Sequence, residues 1–242
     1  MFLYVNGCSH SEDIWQEKDE ERNGSFVWSY HLMKNFTSKF KYFRIIGNSL
    51  EKRPRIQNET SLNLNVIDLS NIKEDILIND SVSGAGNDRI FHSSLESITN
   101  LVRIGKTPDL VVVQWSGVNR REYCGIDGKP LFVNPSQNPY LYPKFEPMAT
   151  THTAHYMFIL QELLKKHNIN YYFFTYFGVD KSIKNLNVYN SLDMSKMIDF
   201  GNDTFYEGLI DLLLVNGFNR DEHGHPNQKG AKFISDNIFK NI

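Results

Sequence analysis

Residues 109–115, Asp-Leu-Val-Val-Val-Gln-Trp, restrict the fold of this chain more than any other stretch. A continuous β-branched run without polar alternation suits a strand covered on both faces, the environment of a parallel sheet. Parallel neighbours cannot be joined by hairpins, so helices are expected between the strands. The flanking pattern agrees. Ile90, Leu95, Ile98, Leu101 and Val102 trace one face of a helix over 88–104, and helical spacing recurs over 150–167. A strong strand is expected at 169–177.

Earlier in the chain, 2–5 reads as a first strand and 42–46 as a second. Between them, Val27, Trp28, Leu32, Met33 and Phe36 mark a helix within 25–40. Brief apolar segments occupy 66–69 and 76–78. Further helices are expected over 205–215 and 227–239. Residues 48–64 are polar and show no period. Residues 120–147 are rich in prolines and aromatics, again without a sustained period. So long an irregular connection suits a lid or a substrate wall. The alternation as a whole argues for an α/β sheet flanked on both faces, with every strand's C-terminal end on one rim. Folds of this kind hold their ligands at that rim.

Bulk properties narrow the function classes. At 242 residues the chain suits one domain over 1–242, with an irregular insertion at about 120–147. A formal net charge of −2, with both signs spread along the chain, gives no electrostatic case for nucleic acid or an anionic membrane. The two cysteines, Cys8 and Cys124, are too few for a disulfide framework, and no zinc-ligand spacing occurs. No signal-like start and no membrane-length apolar window is present. A cytoplasmic or otherwise non-secreted, soluble protein is expected, with no metal and no cofactor.

Polar blocks fall where the strands should end. They are Gly7-Cys8-Ser9-His10-Ser11, Ser83-Gly84-Ala85-Gly86-Asn87, Ser116-Gly117-Val118-Asn119-Arg120 and Asp221-Glu222-His223-Gly224-His225-Pro226-Asn227. Each alone reads as a turn. In this order and spacing they resemble the SGNH (GDSL-type) hydrolases, which carry Ser, Gly, G-x-N and D-x-x-H blocks in turn. The Gly-Cys-Ser variant, with Gln-Trp-Ser-Gly ahead of Asn119, is similar to a divergent, phage-type branch.

The resemblance implies a three-layer, flavodoxin-like α/β/α fold with a mostly parallel five-stranded sheet. It implies Ser9 as nucleophile, His225 as general base, and an oxyanion hole from Ser9, Gly84 and the Asn119 amide. A serine hydroxyl needs a base within reach to become nucleophilic. Each preorganised oxyanion donor is typically worth about 3–4 kcal/mol. The expected substrate is a small-molecule or carbohydrate ester, cleaved through a Ser9 acyl-enzyme. The oligomeric state is left open.

Cys8 stands where the family usually has Asp, and Glu222 stands three residues before His225 in place of Asp. Glu222 and its neighbour Asp221 therefore both remain as the triad acid. His223 is a rival base, but Pro226-Asn227 after His225 matches the family better. Cys8 reads as an inward-facing small hydrophobe rather than a nucleophile. His10 reads as solvated or substrate-facing rather than as a metal ligand. Arg120, Arg121 and Glu122 suit either an acidic or polar substrate or a solvated loop. The departures at Cys8 and Glu222 also motivate an alternative: a protein that keeps the fold and binds without turnover.

Overall fold

The computed structural model describes residues 1–8, 11, 27–37, 39–44, 69, 72–82, 85–118, 120–124, 130–133, 142–201, 203–219 and 225–242. Strands β1 (Phe2–Asn6), β2 (Phe40–Arg44), β3 (Asp75–Asn79), β4 (Leu110–Trp115) and β7 (Asn170–Thr175) form a sheet in the order β2-β3-β1-β4-β7. Every pairing in it is parallel. Strands β5 (Arg121–Cys124) and β6 (Pro130–Val133) form a separate antiparallel hairpin. The helices are α1 (Trp28–Phe36), α2 (Asn87–Arg103), α3 (Tyr142–Lys166), α4 (Thr204–Glu207), α5 (Leu209–Val215) and α6 (Gln228–Asn241).

The two-residue period of the strands sends alternate side chains to two cores. Tyr4, Ile78, Val111, Val113 and Phe173 face one layer, with Ile90, Ile98, Met157 and Leu160 of α2 and α3. Leu3, Val5, Leu77, Val112 and Phe174 face the other, with Leu32, Leu213 and Ile234 of α1, α5 and α6. All of β4 is buried: the apolar run Leu110–Val113 demands it, and Gln114 and Trp115 are buried with it. Each fully buried aliphatic side chain contributes roughly 1.5–3 kcal/mol. Trp28 anchors the second layer, its ring edge-on to Phe174 at 5.4 Å.

Several boundaries differ from the sequence expectation for physical reasons. The third helix starts at Tyr142, not near 150. Pro143 lies in its first turn, where an N–H would find no intrahelical acceptor. The hairpin β5–β6 and the start of α3 put regular structure into the proline-rich 120–147 segment. The helix expected over 205–215 is split at Gly208, whose φ is 92°. A Cβ on Gly208 would sit 2.7 Å from the Phe177 carbonyl carbon, so only glycine allows the chain to cross there. Beyond β7, Met197 forms a bridge to Phe173, and Ile198 N donates to Phe173 O at 2.8 Å. Among the described residues, no helix is long and apolar enough to cross a membrane.

Candidate active site

Because β1, β3 and β4 are parallel and in register (Val5 beside Asn79, Asn6 beside Val113), their C-terminal ends open on one rim. The Gly7-Cys8 turn leaves β1 there. Asn6 fixes its start: Oδ1 accepts from Gly7 N at 2.7 Å, and Nδ2 lies 2.8 Å from Ser94 Oγ and 3.1 Å from Ile90 O of α2. Gly7 O accepts from Val82 N at 3.2 Å, joining the exits of β1 and β3. A Cβ on Gly7 would meet Ser11 Oγ at 2.7 Å and Gln114 Cβ at 3.0 Å, which explains the glycine.

Ser11 closes the block. Its N–H donates to Cys8 O at 2.9 Å, and its own carbonyl accepts from Asn79 Nδ2 at 2.8 Å. The Ser11 hydroxyl donates to Gln114 Oε1 and accepts from Trp28 Nε1 at 2.8 Å. Ser11 is fully buried and its hydroxyl is committed on both sides. Cys8 is fully buried too, with Gln114 Nε2 3.0 Å from its Sγ, in agreement with the inward reading.

The second and third blocks are tied to each other. Asn87, the first residue of α2, accepts from Ser116 N at 2.7 Å and donates to Ser116 O at 3.1 Å, clamping the backbone just past β4. Gly86 lies against the same loop, where a Cβ would fall on the Arg120 carbonyl oxygen. Arg120 N donates to Gly117 O at 3.0 Å, and the guanidinium carbon stands 4.5 Å from the Phe177 ring centroid.

Behind the rim, the buried Asp80 carboxylate accepts from Tyr4 Oη at 2.9 Å and Ser97 Oγ at 2.8 Å. Burial first, and the Asp80 charge next, hold the Tyr4 phenol well above its ordinary titration range.

His225 is half-buried in the loop before α6. Asn227 caps that helix through a bond from Gly230 N to Oδ1 at 2.9 Å, while its Nδ2 donates to Gly217 O at 3.0 Å. Pro226 is bridged to Asn219. The far turns of α6 pack on the end of α1: Asn35 Nδ2 lies 3.2 Å from Ser235 Oγ, and the Phe36 and Phe239 rings are 5.1 Å apart. Trp28 starts α1 beside Ser11 at the rim, and α1 runs from there toward the start of β2. Gln228, seven residues before Ser235 and so about 10 Å back along α6, therefore lies toward the rim.

Ser9, Gly84, Asn119, Asp221 and Glu222 lie outside the described residues, as do His10 and His223. Described neighbours of Ser9, Gly84 and Asn119 stand at the β1, β3 and β4 exits, and the loop of His225 is directed to the same rim. Among the described residues no group of His, Cys, Asp and Glu side chains forms a metal site. Sequence reading placed Asn87 in the second block without a role, and missed Asn6, Asn79 and Gln114, which hold the rim together with it. The available signal was a polar side chain at or beside the end of an otherwise apolar strand.

Comparison with solved structures decides the architecture. The acetyl xylan esterase AlAXEase matches over 100% of this chain and 100% of its own, with a TM-score of 0.50 at 13% identity. The chain has the SGNH/GDSL hydrolase fold. The psychrotrophic esterase EstA from Pseudoalteromonas sp. is also similar, at 12% identity, 99% and 95% coverage and a TM-score of 0.47. A lipolytic protein of the G-D-S-L family from Veillonella parvula matches at 12% identity, 99% and 96% coverage and a TM-score of 0.43. No family model matches the sequence, and no curated protein matches it either. In this SGNH/GDSL sheet all five main strands are parallel, where the sequence led us to expect a mostly parallel one.

Proposed function

We propose that this protein is a serine-dependent ester hydrolase whose nucleophile is Ser9 and whose general base is His225. The observation that carries the proposal is the convergence on one rim of the β1, β3 and β4 exits and of the loop before α6. In this reading His225 takes the Ser9 proton as the hydroxyl attacks the ester carbonyl, then gives it to the departing alcohol. Donors from Ser9, Gly84 and Asn119 meet the charge on the tetrahedral oxygen. Glu222 or Asp221 orients the imidazole. Water then releases the acyl group from Ser9, with no cofactor needed for either half. An acetyl ester of a small alcohol or carbohydrate is the substrate class we assign, in keeping with the esterases that share the fold.

Intact-mass labelling with a fluorophosphonate tests this directly. Wild type should gain one adduct, Ser9→Ala none, and His225→Ala should label on the order of 100-fold more slowly or worse. Equal labelling of wild type and Ser9→Ala would refute the nucleophile. A wild type that neither labels nor hydrolyses aryl acetates would favour a fold retained for binding alone.

A further inference from the structure

A small pocket, with a cavity volume of about 20 Å³, opens between the start of α2, the exit of β4 and α3. Asn87, Asp88, Val118, Arg120, His152 and Tyr156 are among its lining residues. Val118 and Arg120 flank Asn119 in sequence, so the pocket adjoins the third block. One wall is rigid, because the Tyr156 ring stacks on Phe91 at 4.6 Å and 13°.

Arg120 is held in three ways. Its N–H bonds Gly117 O, its carbonyl packs on Gly86, and its guanidinium lies over the Phe177 ring. Yet its Nη1 is buried without a hydrogen-bond partner among the described residues. A solvated surface arginine would keep its donors in water. Here the ring shields one face of the cation and the backbone is fixed, leaving a positioned planar fork short of an acceptor.

We propose that Arg120 recognises a carboxylate carried by the substrate, seated in this pocket beside the reacting ester. A carboxylate matches the guanidinium fork in shape and charge. A phosphate dianion would meet stronger repulsion from Asp88, whose Oδ1 is already engaged by Arg89 N at 2.9 Å. Calling this ligand a substrate rests on the ester-hydrolase reading; the carboxylate site itself does not.

The test uses 4-acetamidobenzoate, whose amide replaces the scissile ester of 4-acetoxybenzoate, against its neutral methyl ester. Binding to the full chain is followed by NMR shift titration. Wild type and Ser9→Ala should bind the carboxylate at least tenfold more tightly than the methyl ester. Arg120→Gln should erase that preference and Arg120→Lys should keep only part of it. Equal affinities in wild type, or a preference that survives Arg120→Gln, would overturn the proposal.

Should Arg120→Gln not fold, added salt and Arg120→Lys decide instead. Selectivity must fall with chloride and drop at least threefold in the lysine variant, and selectivity unmoved by both overturns the proposal. Turnover of 4-acetoxybenzoate separates the two readings. Selectivity without turnover upholds the pocket and counts against the hydrolase, while turnover without selectivity does the reverse.

Discussion

Tyr4 and Asp80 show how one residue pair can govern the rim from behind. The carboxylate is buried, so hydroxyl donors such as Tyr4 and Ser97 help make its charge tolerable. Tyr4→Phe should therefore lower unfolding stability by about 1–3 kcal/mol at neutral pH. The pH dependence has a definite sign. A phenol whose folded pKa is raised stabilises the fold fully below the unfolded value of about 10, and that contribution is lost as pH rises toward the folded value. The gap between wild type and Tyr4→Phe should thus narrow above pH ~10, by up to about 1.4 kcal/mol per unit. Urea unfolding of both proteins at neutral and alkaline pH measures this. A gap that stays constant or widens would remove the link between the Tyr4 proton and stability.

At the scale of elements, the start of α6 connects packing to chemistry. Asn227 caps the helix and also bonds back to the 217–219 segment, two residues from His225. Asn227→Ala should cost about 1 kcal/mol of stability. Because the same side chain fixes the loop, fluorophosphonate labelling at Ser9 should slow further, on the order of 10–100-fold. Labelling at the wild-type rate in a destabilised variant would mean that His225 is positioned by something else. The same scale shows what the sequence made legible. The Val111–Val113 run announced a buried strand because burial on both faces leaves no polar alternation to confuse the reading. Strands β5 and β6 are only four residues each and include Pro130, so no period could reveal them. The break at Gly208 depends on the nearby Phe177 carbonyl carbon, a neighbour that exists only once β7 is packed. The clasp of Asn6 on Ser94 and of Ser11 on Gln114 spans 88 and 103 residues. A single sequence shows both partners without showing that they meet. The block order placed the candidate site, while the supports beneath it became visible only in three dimensions.

For the whole molecule, the open edges of the sheet matter. Beyond β7, the bond from Ile198 N to Phe173 O occupies backbone that would otherwise offer itself to another strand. Ile198→Pro removes that donor. The variant should lose about 1–3 kcal/mol and self-associate with rising concentration in sedimentation experiments, where wild type should show less. Unchanged sedimentation would show that the edge is guarded elsewhere. The strand order also has a consequence in time. β1 precedes the other described strands but lies between β3 and β4, so its neighbours are 74 and 107 residues downstream in the register, Ile76 beside Phe2 and Leu110 beside Leu3. On the ribosome its apolar backbone must wait unpaired for both, and such distant pairings form slowly. The helix that carries the loop of His225 follows all the described strands in chain order. Translation thus acts as a timer: the proposed nucleophile, Ser9, is made 216 residues ahead of the proposed base, His225.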